Sequence, residues 1–237
     1  MTARAASFVE LSTLERTVRR FSLGTAIAAL VAAALSGAAA AGERGAEPGS
    51  FDYYVLALSW SPSYCVAEGD RANPQQCGSG RPFAFVVHGL WPQYDRGYPE
   101  FCRSRLPDRV PDQLVGKVID IMPSAGLIGH QWRKHGSCSG LGQEDYFSLV
   151  RKARERVSIP EPFRTLASPL LASPGGVEAA FMSVNEGLDA GGIAVTCKGR
   201  LLREVRICLT RDLEFRACPE VDRKACRADR ALMPAAR

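Results

Sequence analysis

Histidine is confined to two short segments of this chain, and that placement is the most informative feature of its sequence. His88 begins the segment HGLWP, and His130 and His135 belong to the segment HQWRKHG. A lone histidine is usually a structural hydrogen-bonding residue. Three histidines gathered in two motifs, with Lys134 between the last two, instead indicate one reactive pocket.

The second motif is expected to lie on a helix, where successive residues are separated by about 100°. On such a helix His130 and Lys134 share one ridge, and Gln131 and His135 share the neighbouring ridge. These four side chains would form one polar face. Trp132 would point away from it and anchor the helix in the core.

These groups, completed by His88 from the end of a strand, suit phosphoryl transfer that uses a neighbouring hydroxyl group as the nucleophile. One imidazole would take the proton of a ribose 2′-OH, and another would protonate the leaving 5′-oxygen, because an imidazole titrates near the operating pH. Lys134 would stabilise the added negative charge on the pentacovalent phosphorane. No metal ion or other cofactor is expected, because the substrate carries its own nucleophile.

The longer segments FVVHGLWP, at 85–92, and HQWRKHGSC, at 130–138, are similar to the two active-site segments of the ribonuclease T2 family. The likeness extends from about Tyr53 to Cys226. It implies the α+β fold of that family and an acid-type endoribonuclease. Such an enzyme cuts single-stranded RNA to 2′,3′-cyclic phosphates and then to 3′-phosphates.

The resemblance implies a role for each residue of the pocket. His88 resembles the general acid of the transfer step, and His135 resembles its general base. Lys134 is similar to the residue that stabilises the transition state, and His130 to the histidine that binds phosphate.

The resemblance also implies where a base would bind. Trp91 resembles a platform for stacking of an unpaired base, a contact that suits single-stranded RNA. Tyr98 and Gln93 lie near it in the sequence and are expected to help hold the base.

One position departs from the pattern of the family, which usually has a glutamate where this chain has Gln131. A carboxylate can share a proton or orient an imidazole, whereas an amide only donates and accepts hydrogen bonds. We expect a working enzyme with an altered rate or pH optimum. The alternative is a catalytically weak relative that mainly binds RNA.

The chain contains eight cysteines, and all of them follow residue 41. No C-x-x-C pair suggests a zinc site, so an even number of cysteines favours disulfides formed in an oxidising compartment. The spacing alone leaves the pairing open. The resemblance implies the pairs Cys65–Cys77, Cys102–Cys138, Cys197–Cys226 and Cys208–Cys218.

The first 41 residues have the pattern of a cleaved signal peptide. Three arginines between positions 16 and 20 precede an apolar run at 21–35, and small residues at 36–41 fit a cleavage site. A membrane anchor is the alternative, but the run is short for a span and rich in alanine. We expect an exported protein, periplasmic or secreted, without stable membrane association after cleavage.

The composition is that of a globular protein, with 46% hydrophobic and 23% charged residues in 237. Residues 1–41 hold four arginines and two glutamates, so without them the formal charge falls from +5 to +3. This mildly basic balance permits a polyanionic substrate such as single-stranded RNA. A monomer is expected.

The order of apolar runs predicts an α+β fold with a central antiparallel or mixed β-sheet, packed with several helices and stapled by about four disulfides. We expect one domain over 51–228, after a flexible lead-in at 42–50 and before a polar, frayed tail at 229–237. The expected strands are 51–60, 83–87, 193–197 and 201–209, and the expected helices are 111–124, 128–138, 144–157 and 177–188. The segment 61–82, rich in Ser, Pro, Asn and Gly, is expected to be a loop.

Three rival functions remain open at this stage. A metal site fits poorly, because His130 and His135 are five residues apart and no acidic residue lies between them. A secreted RNA-binding module and a disulfide-rich structural protein are the other two. Cleavage of RNA would separate the enzyme from both.

Overall fold

The computed structural model of the chain describes residues 42–236, so the expected signal peptide at 1–41 lies outside the described residues. The strands are β1 (Gly42–Arg44), β2 (Tyr53–Trp60), β3 (Phe85–Gln93), β4 (Tyr98–Glu100), β5 (Leu170–Ala172), β6 (Ile193–Lys198), β7 (Leu201–Leu209) and β8 (Ala231–Met233). The helices are α1 (Ser61–Glu68), α2 (Pro74–Cys77), α3 (Asp112–Gly116), α4 (Ala125–Lys134), α5 (Gln143–Arg156), α6 (Pro174–Val184) and α7 (Pro219–Asp222).

The main sheet is mixed, which confirms the predicted fold class. Its strands follow the order β3, β2, β7, β8 and β5, and β6 also pairs with β7. The pairs around β2 and the β6–β7 hairpin are antiparallel, whereas β7 pairs with β8 in parallel. The hairpin was predicted from the two apolar runs that flank residues 198–200.

The core lies between this sheet and the helices. Strand β2 is buried along almost its whole length, as expected for a central strand covered on both faces. Helix α5 packs the side chains of Phe147 and Val150 into the core, and its bounds agree with the predicted helix to within one residue at each end. Trp132 of α4 is buried in the same cluster, as predicted, and its indole N–H donates to the carbonyl of Pro107.

All four disulfides implied by the resemblance are present. They join Cys65 to Cys77, Cys102 to Cys138, Cys197 to Cys226 and Cys208 to Cys218. The described residues contain no free cysteine. The second bridge attaches the segment after β4 to the short 3₁₀ turn Gly136–Cys138, which directly follows α4.

The segment 61–82 is not the predicted loop, because it contains helices α1 and α2. Pro62 lies in the first turn of α1, where its missing N–H does no harm. Asn73 caps α2 by accepting a hydrogen bond from the backbone N–H of Gln75. Proline and asparagine are common in loops, but in this segment Pro62 and Asn73 lie at the starts of helices.

Three predicted helices have different bounds, and the one expected at 177–188 is α6, at Pro174–Val184. The expected helix at 111–124 is reduced to α3, followed by turns up to Pro123, and the helix expected at 128–138 begins earlier and ends at Lys134. Ser124 sets that earlier start, because its side chain accepts a hydrogen bond from the N–H of Leu127.

Both ends of the described chain are more ordered than expected. The lead-in contains β1, which pairs in parallel with β4. The segment 229–237 is not simply frayed, because Ala231 and Met233 of β8 are fully buried and the carbonyl of Pro234 accepts a hydrogen bond from Trp60. Apolar residues within a polar tail explain the difference, since they complete the sheet.

Candidate active site

His88 was expected at the end of a strand, and this prediction is wrong, because His88 lies within β3 at a β-bulge. Gly89 pairs with Ala57 of β2 and Val87 pairs with Leu58, so His88 is the extra residue between them. A bulge of this kind redirects a side chain relative to its neighbours, and bulges are frequent beside active sites. The His88 side chain is 25% exposed.

The ring of His88 is held by a buried carboxylate. Its Nδ1 atom lies 2.7 Å from Oε1 of Glu204, a residue of β7 whose side chain is almost inaccessible to solvent. Burial would raise the pKa of Glu204, but the hydrogen bond with His88 and the charges of His88, Arg206 and Arg203 outweigh it and lower the pKa to about 2. Glu204 is therefore ionised throughout the range in which histidine titrates.

Gln131 lines the cavity together with His130, Lys134 and His135, as expected for one polar helix face, and its side chain also faces β3. Its side chain is 1% exposed, and its Oε1 accepts a hydrogen bond of 2.7 Å from the indole N–H of Trp91. This contact requires glycine at position 89, because a Cβ there would overlap Oε1 of Gln131 and Nε1 of Trp91. The glycine of HGLWP thus allows α4 to approach the strand.

His135 lies just beyond α4, with φ −121° and ψ −46°, so it leaves the helical path assumed in the sequence analysis. Its ring nevertheless reaches the same pocket and stacks on Trp91, with centroids 5.2 Å apart and planes at 28°. Burial, and then the charges of Lys134, His88 and His130, lower the pKa of His135 well below its ordinary value. Within residues 42–236, its buried Nδ1 atom has no hydrogen-bond partner.

His130 and Lys134 lie one helical turn apart on α4 and face the cavity together. Burial, and then the charges of Lys134, Arg133 and His88, lower the pKa of His130. The ammonium group of Lys134 lies 3.3 Å from a carboxylate oxygen of Glu100 in β4. The predicted helix ridge of His130 and Lys134 is present. Its ammonium group, on Lys134, forms an ion pair with Glu100 and also faces the cavity.

The three residues expected to contact a base also lie at this cavity. Trp91 has the guanidinium group of Arg206 at 5.2 Å from its ring centroid, and the ring of His88 approaches it edge-on at 5.3 Å. Gln93 and Tyr98 line the wall nearer the end of β3. The amide of Gln93 donates to the carbonyl of Pro92.

The cavity has a volume of about 390 Å³ and collects every site residue named from the sequence. Those residues are His88, Trp91, Gln93, Tyr98, His130, Gln131, Lys134 and His135. A second cavity of about 440 Å³ opens on the other side of His88, lined by α1, the segment around Asn73 and the start of α4. His88 and Arg203 border both cavities, whereas Glu204 lines only the second one.

Sequence reasoning missed the charged group on β7, which comprises Arg203, Glu204 and Arg206. Its members are separated from His88 by more than 110 positions, so spacing could not associate them. A weaker signal was present, because Glu204 and Arg206 point to the same face of a strand and have opposite charge. A carboxylate inside a strand as rich in apolar residues as LLREVRICL is unusual unless it is paired, and the two arginines of the strand are possible partners.

Residues 42–236 contain no group of three or more His, Cys, Asp or Glu side chains arranged to hold a metal ion. Among the same residues, no helix has the length and apolar character needed to cross a membrane.

The fold and the cavity define a class of protein, the disulfide-bonded α+β enzymes with a histidine-rich active-site cavity. Comparison with known proteins then specifies the family: the Ribonuclease T2 family matches residues 51–218, and the chain belongs to it. The chain is accordingly an RNA-cleaving enzyme of the ribonuclease T2 type.

Individual relatives agree with this family. A protein named "Ribonuclease" from Aeromonas hydrophila is 40% identical over 171 residues, covering 70% of this chain and 75% of the relative. An RNase-related protein from Calystegia sepium has a similar fold, with a TM-score of 0.62 at 22% identity, over 79% of this chain and 98% of that one. RNase NT, solved in complex with 5′-AMP, has a TM-score of 0.57 at 23% identity, over 72% and 91% of the two chains.

Proposed function

We propose that this enzyme is exported and cleaves single-stranded RNA by transphosphorylation, first to 2′,3′-cyclic phosphates and then to 3′-phosphates. The observation that carries the proposal is that two imidazoles in opposite surroundings contact one indole ring and line one cavity. His88 is bound by a carboxylate, whereas His135 is buried next to cations. Such a pair can pass protons in opposite directions.

His135 acts as the base of the first step. Because the pKa of His135 is lowered well below its ordinary value, its imidazole is neutral at neutral pH and can accept the 2′-OH proton. The 2′-oxygen then attacks phosphorus. DNA is not a substrate, because it lacks this hydroxyl group.

His88 acts as the acid of the same step and protonates the 5′-oxygen as the bond between phosphorus and that oxygen breaks. In the second step the roles reverse, so that neutral His88 takes a proton from the water that opens the cyclic phosphate. The carboxylate of Glu204 lies 2.7 Å from Nδ1 of His88 and can accept a hydrogen bond from that side of the ring.

Lys134 and His130 bind the phosphate group. Lys134 supplies positive charge at the cavity wall, where the phosphorane gains negative charge. His130, one turn earlier on α4, donates a hydrogen bond to a non-bridging oxygen. Glu100 fixes Lys134 from the opposite side, at 3.3 Å.

The two cavities that share His88 as a border fit an endonuclease, which must hold a nucleotide on each side of the broken bond. The smaller cavity presents Trp91, Gln93 and Tyr98 to one base. Aromatic stacking and amide contacts suit an unpaired base better than a base within a duplex. The complex of the structural relative RNase NT with 5′-AMP supports nucleotide binding at a site of this fold.

Export is supported by the signal-like pattern of residues 1–41 and by four disulfides, which form in oxidising compartments. Separation of cytosolic, periplasmic and culture-medium fractions, followed by detection with an antibody against this protein, would locate the mature enzyme. Detection in the cytosol alone would contradict this part of the proposal.

The decisive experiment digests a defined single-stranded oligoribonucleotide and identifies the product ends by mass. We expect 2′,3′-cyclic phosphates early and 3′-phosphates late, with the matching oligodeoxyribonucleotide intact. A shift of RNA in a gel without cleavage would instead support a catalytically weak, RNA-binding relative, with Gln131 in place of the usual glutamate as its cause. Products with 5′-phosphates would overturn the mechanism.

A further inference from the structure

Glu204 is the most completely buried carboxylate at the site, and every contact that it makes is ionic. Its side chain is 1% exposed. Oε2 accepts hydrogen bonds from Nε and Nη2 of Arg206, at 3.0 and 2.8 Å. Oε1 lies 2.7 Å from Nδ1 of His88 and 3.4 Å from Nε of Arg203. A buried charge is costly unless it is paired in this way.

We propose that Glu204 is a positioning residue of the reaction. Its carboxylate accepts a hydrogen bond from Nδ1–H of His88 and thereby aims Nε2 at the leaving 5′-oxygen. This inference rests on the proposed function, in which His88 is the general acid. Glu204 does not touch the substrate. It acts through the ring that it holds.

The position of His88 explains why such a partner is needed. As the extra residue of a bulge, His88 has no residue opposite it in β2 to fix its direction. Its ring meets Trp91 only edge-on. A carboxylate on one ring nitrogen fixes both the orientation and the tautomer of an imidazole, so that the other nitrogen serves the chemistry.

The proton balance of the step is simple. The proton on Nε2 moves to the 5′-oxygen, and the electron pair of the breaking bond between phosphorus and oxygen stays on that oxygen and binds the proton. The imidazole becomes neutral and keeps its Nδ1 proton in the hydrogen bond to Glu204. The carboxylate is charged before and after the step.

The two arginines keep Glu204 in its charged form. Both come from β7 itself, and Arg206 uses two nitrogens of its guanidinium group, which is a strong and directional contact. With a pKa of about 2, Glu204 does not remove the Nδ1 proton from His88. The other charged or titratable groups around the two cavities are Tyr64, Glu68, Tyr98, His130, Lys134, His135, Lys198, Glu220 and Lys224.

The test compares Glu204→Gln with the unchanged enzyme on two substrates that differ in their need for an acid. A dinucleoside phosphate has an alkoxide leaving group that must be protonated, whereas a nucleoside 3′-(4-nitrophenyl phosphate) releases a stable phenolate without help. We expect kcat on the dinucleoside phosphate to fall about 10- to 100-fold, as for other residues that orient a reacting group. On the nitrophenyl ester kcat should stay close to that of the unchanged enzyme, and KM should change little on either substrate.

Glu214→Gln is the matched control, because it removes one glutamate charge at the surface, where Glu214 pairs with Arg156. We expect it to leave both substrates unaffected. An equal loss on both substrates by Glu204→Gln would mean that Glu204 has only a structural role, and the inference would be wrong. Failure of the unchanged enzyme to cleave either substrate would defeat the proposed function instead.

A spectroscopic measurement keeps the inference testable if Glu204→Gln does not fold. Nitrogen-15 NMR of the full-length mature enzyme distinguishes the two neutral tautomers of His88. We expect the proton on Nδ1 at high pH. A proton on Nε2 alone would overturn the inference directly, since Nδ1 would then have no proton to donate in a hydrogen bond to Glu204.

Discussion

The surroundings of His88 and His135 differ in almost every respect, although both side chains contact Trp91. His88 is partly exposed, comes from a strand bulge and has a carboxylate on one nitrogen. His135 is 6% exposed, follows the end of a helix and has a buried nitrogen without a partner among the described residues. One imidazole is surrounded by compensated charge, and the other by apolar groups and cations.

This difference teaches how one fold can make an acid and a base from the same side chain. A carboxylate on one ring nitrogen orients an imidazole so that the other nitrogen serves the chemistry, whereas burial beside cations favours a neutral imidazole. Neither region could do this alone, because β3 and β7 build the first and α4 builds the second. The contact of Gln131 with Trp91 joins the two regions.

The largest effects should come from His88→Ala and His135→Ala. Each removes one proton transfer, so kcat/KM on an oligoribonucleotide should fall by about 10²- to 10⁴-fold. The double variant should be little worse than either single variant, because the two residues act in one step. Four intact disulfides and an unchanged circular dichroism spectrum would serve as the folding control.

The same two variants separate acid from base. On the nitrophenyl ester, His88→Ala should regain most of its activity, because that leaving group needs no acid. His135→Ala should remain inactive, because the 2′-OH still needs a base. The reverse pattern would exchange the two roles and leave the comparison of surroundings without a functional meaning.

Gly89→Ala should disrupt the contact between Gln131 of α4 and Trp91 of β3, which connects the two regions. The added Cβ would overlap Gln131 and Trp91, and neither can withdraw easily from a packed site. Overpacking of this kind costs about 1–3 kcal/mol of unfolding free energy. We expect a comparable loss in kcat/KM, which would be about tenfold or more.

Gly116→Ala is the matched control, because a Cβ at the end of α3 meets no atom within 4 Å. It should leave activity unchanged, and urea unfolding should show equal or slightly higher stability. If Gly89→Ala behaved in the same way, the approach of α4 to β3 would not depend on this glycine.

The sequence predicted the membership of the site better than its geometry. The two motifs identified six side chains that line the smaller cavity, and Gln93 and Tyr98 were added because they lie near Trp91 in the sequence. The helical pattern also placed Trp132 correctly in the core. It failed for the backbone of His135, because the helix ends one residue before it. It also did not predict that Gln131 would be buried against a donor from a distant strand.

The bulge at His88 had no local signal, and the charged residues of β7 had only the weak signal of two opposite charges on one face of a strand. A bulge depends on the register between β2 and β3, which are joined by a long segment that was itself read as a loop. The pairing of Glu204 with His88 likewise depends on β2 lying between β3 and β7. Long-range register of this kind cannot be deduced from one sequence.

Gln131→Glu should sharpen the comparison by adding a charge to the region of His135. A carboxylate there would raise the pKa of His135, because it favours the protonated ring. Since the base must be neutral, the acidic limb of the pH profile of kcat/KM should move to higher pH. Gln131→Met, which loses the contact with Trp91 and adds no charge, is the control, and an identical profile in all three proteins would mean that position 131 does not influence His135.

The smallest effect concerns stability, which should depend on pH differently in the two regions. His135 binds a proton near its ordinary pKa of 6.5 when the chain is unfolded, but only at much lower pH when it is folded. Its contribution is therefore complete above about pH 6.5 and is lost as the pH falls, by at most about 1.4 kcal/mol per pH unit. His130 has a lowered pKa too and adds to this slope.

Glu204 contributes to the pH dependence of stability at lower pH than His135 does, because the pKa of Glu204 is lowered from 4.5 to about 2. Its contribution should persist down to about pH 4.5 and disappear between that pH and about 2. Urea unfolding with intact disulfides, at several pH values from 3 to 8, should therefore give a flatter curve for His135→Ala only below about pH 6.5. Glu204→Gln should flatten the curve only below about pH 4.5, and if both variants changed slope in the same range, the two regions would not be electrostatically distinct.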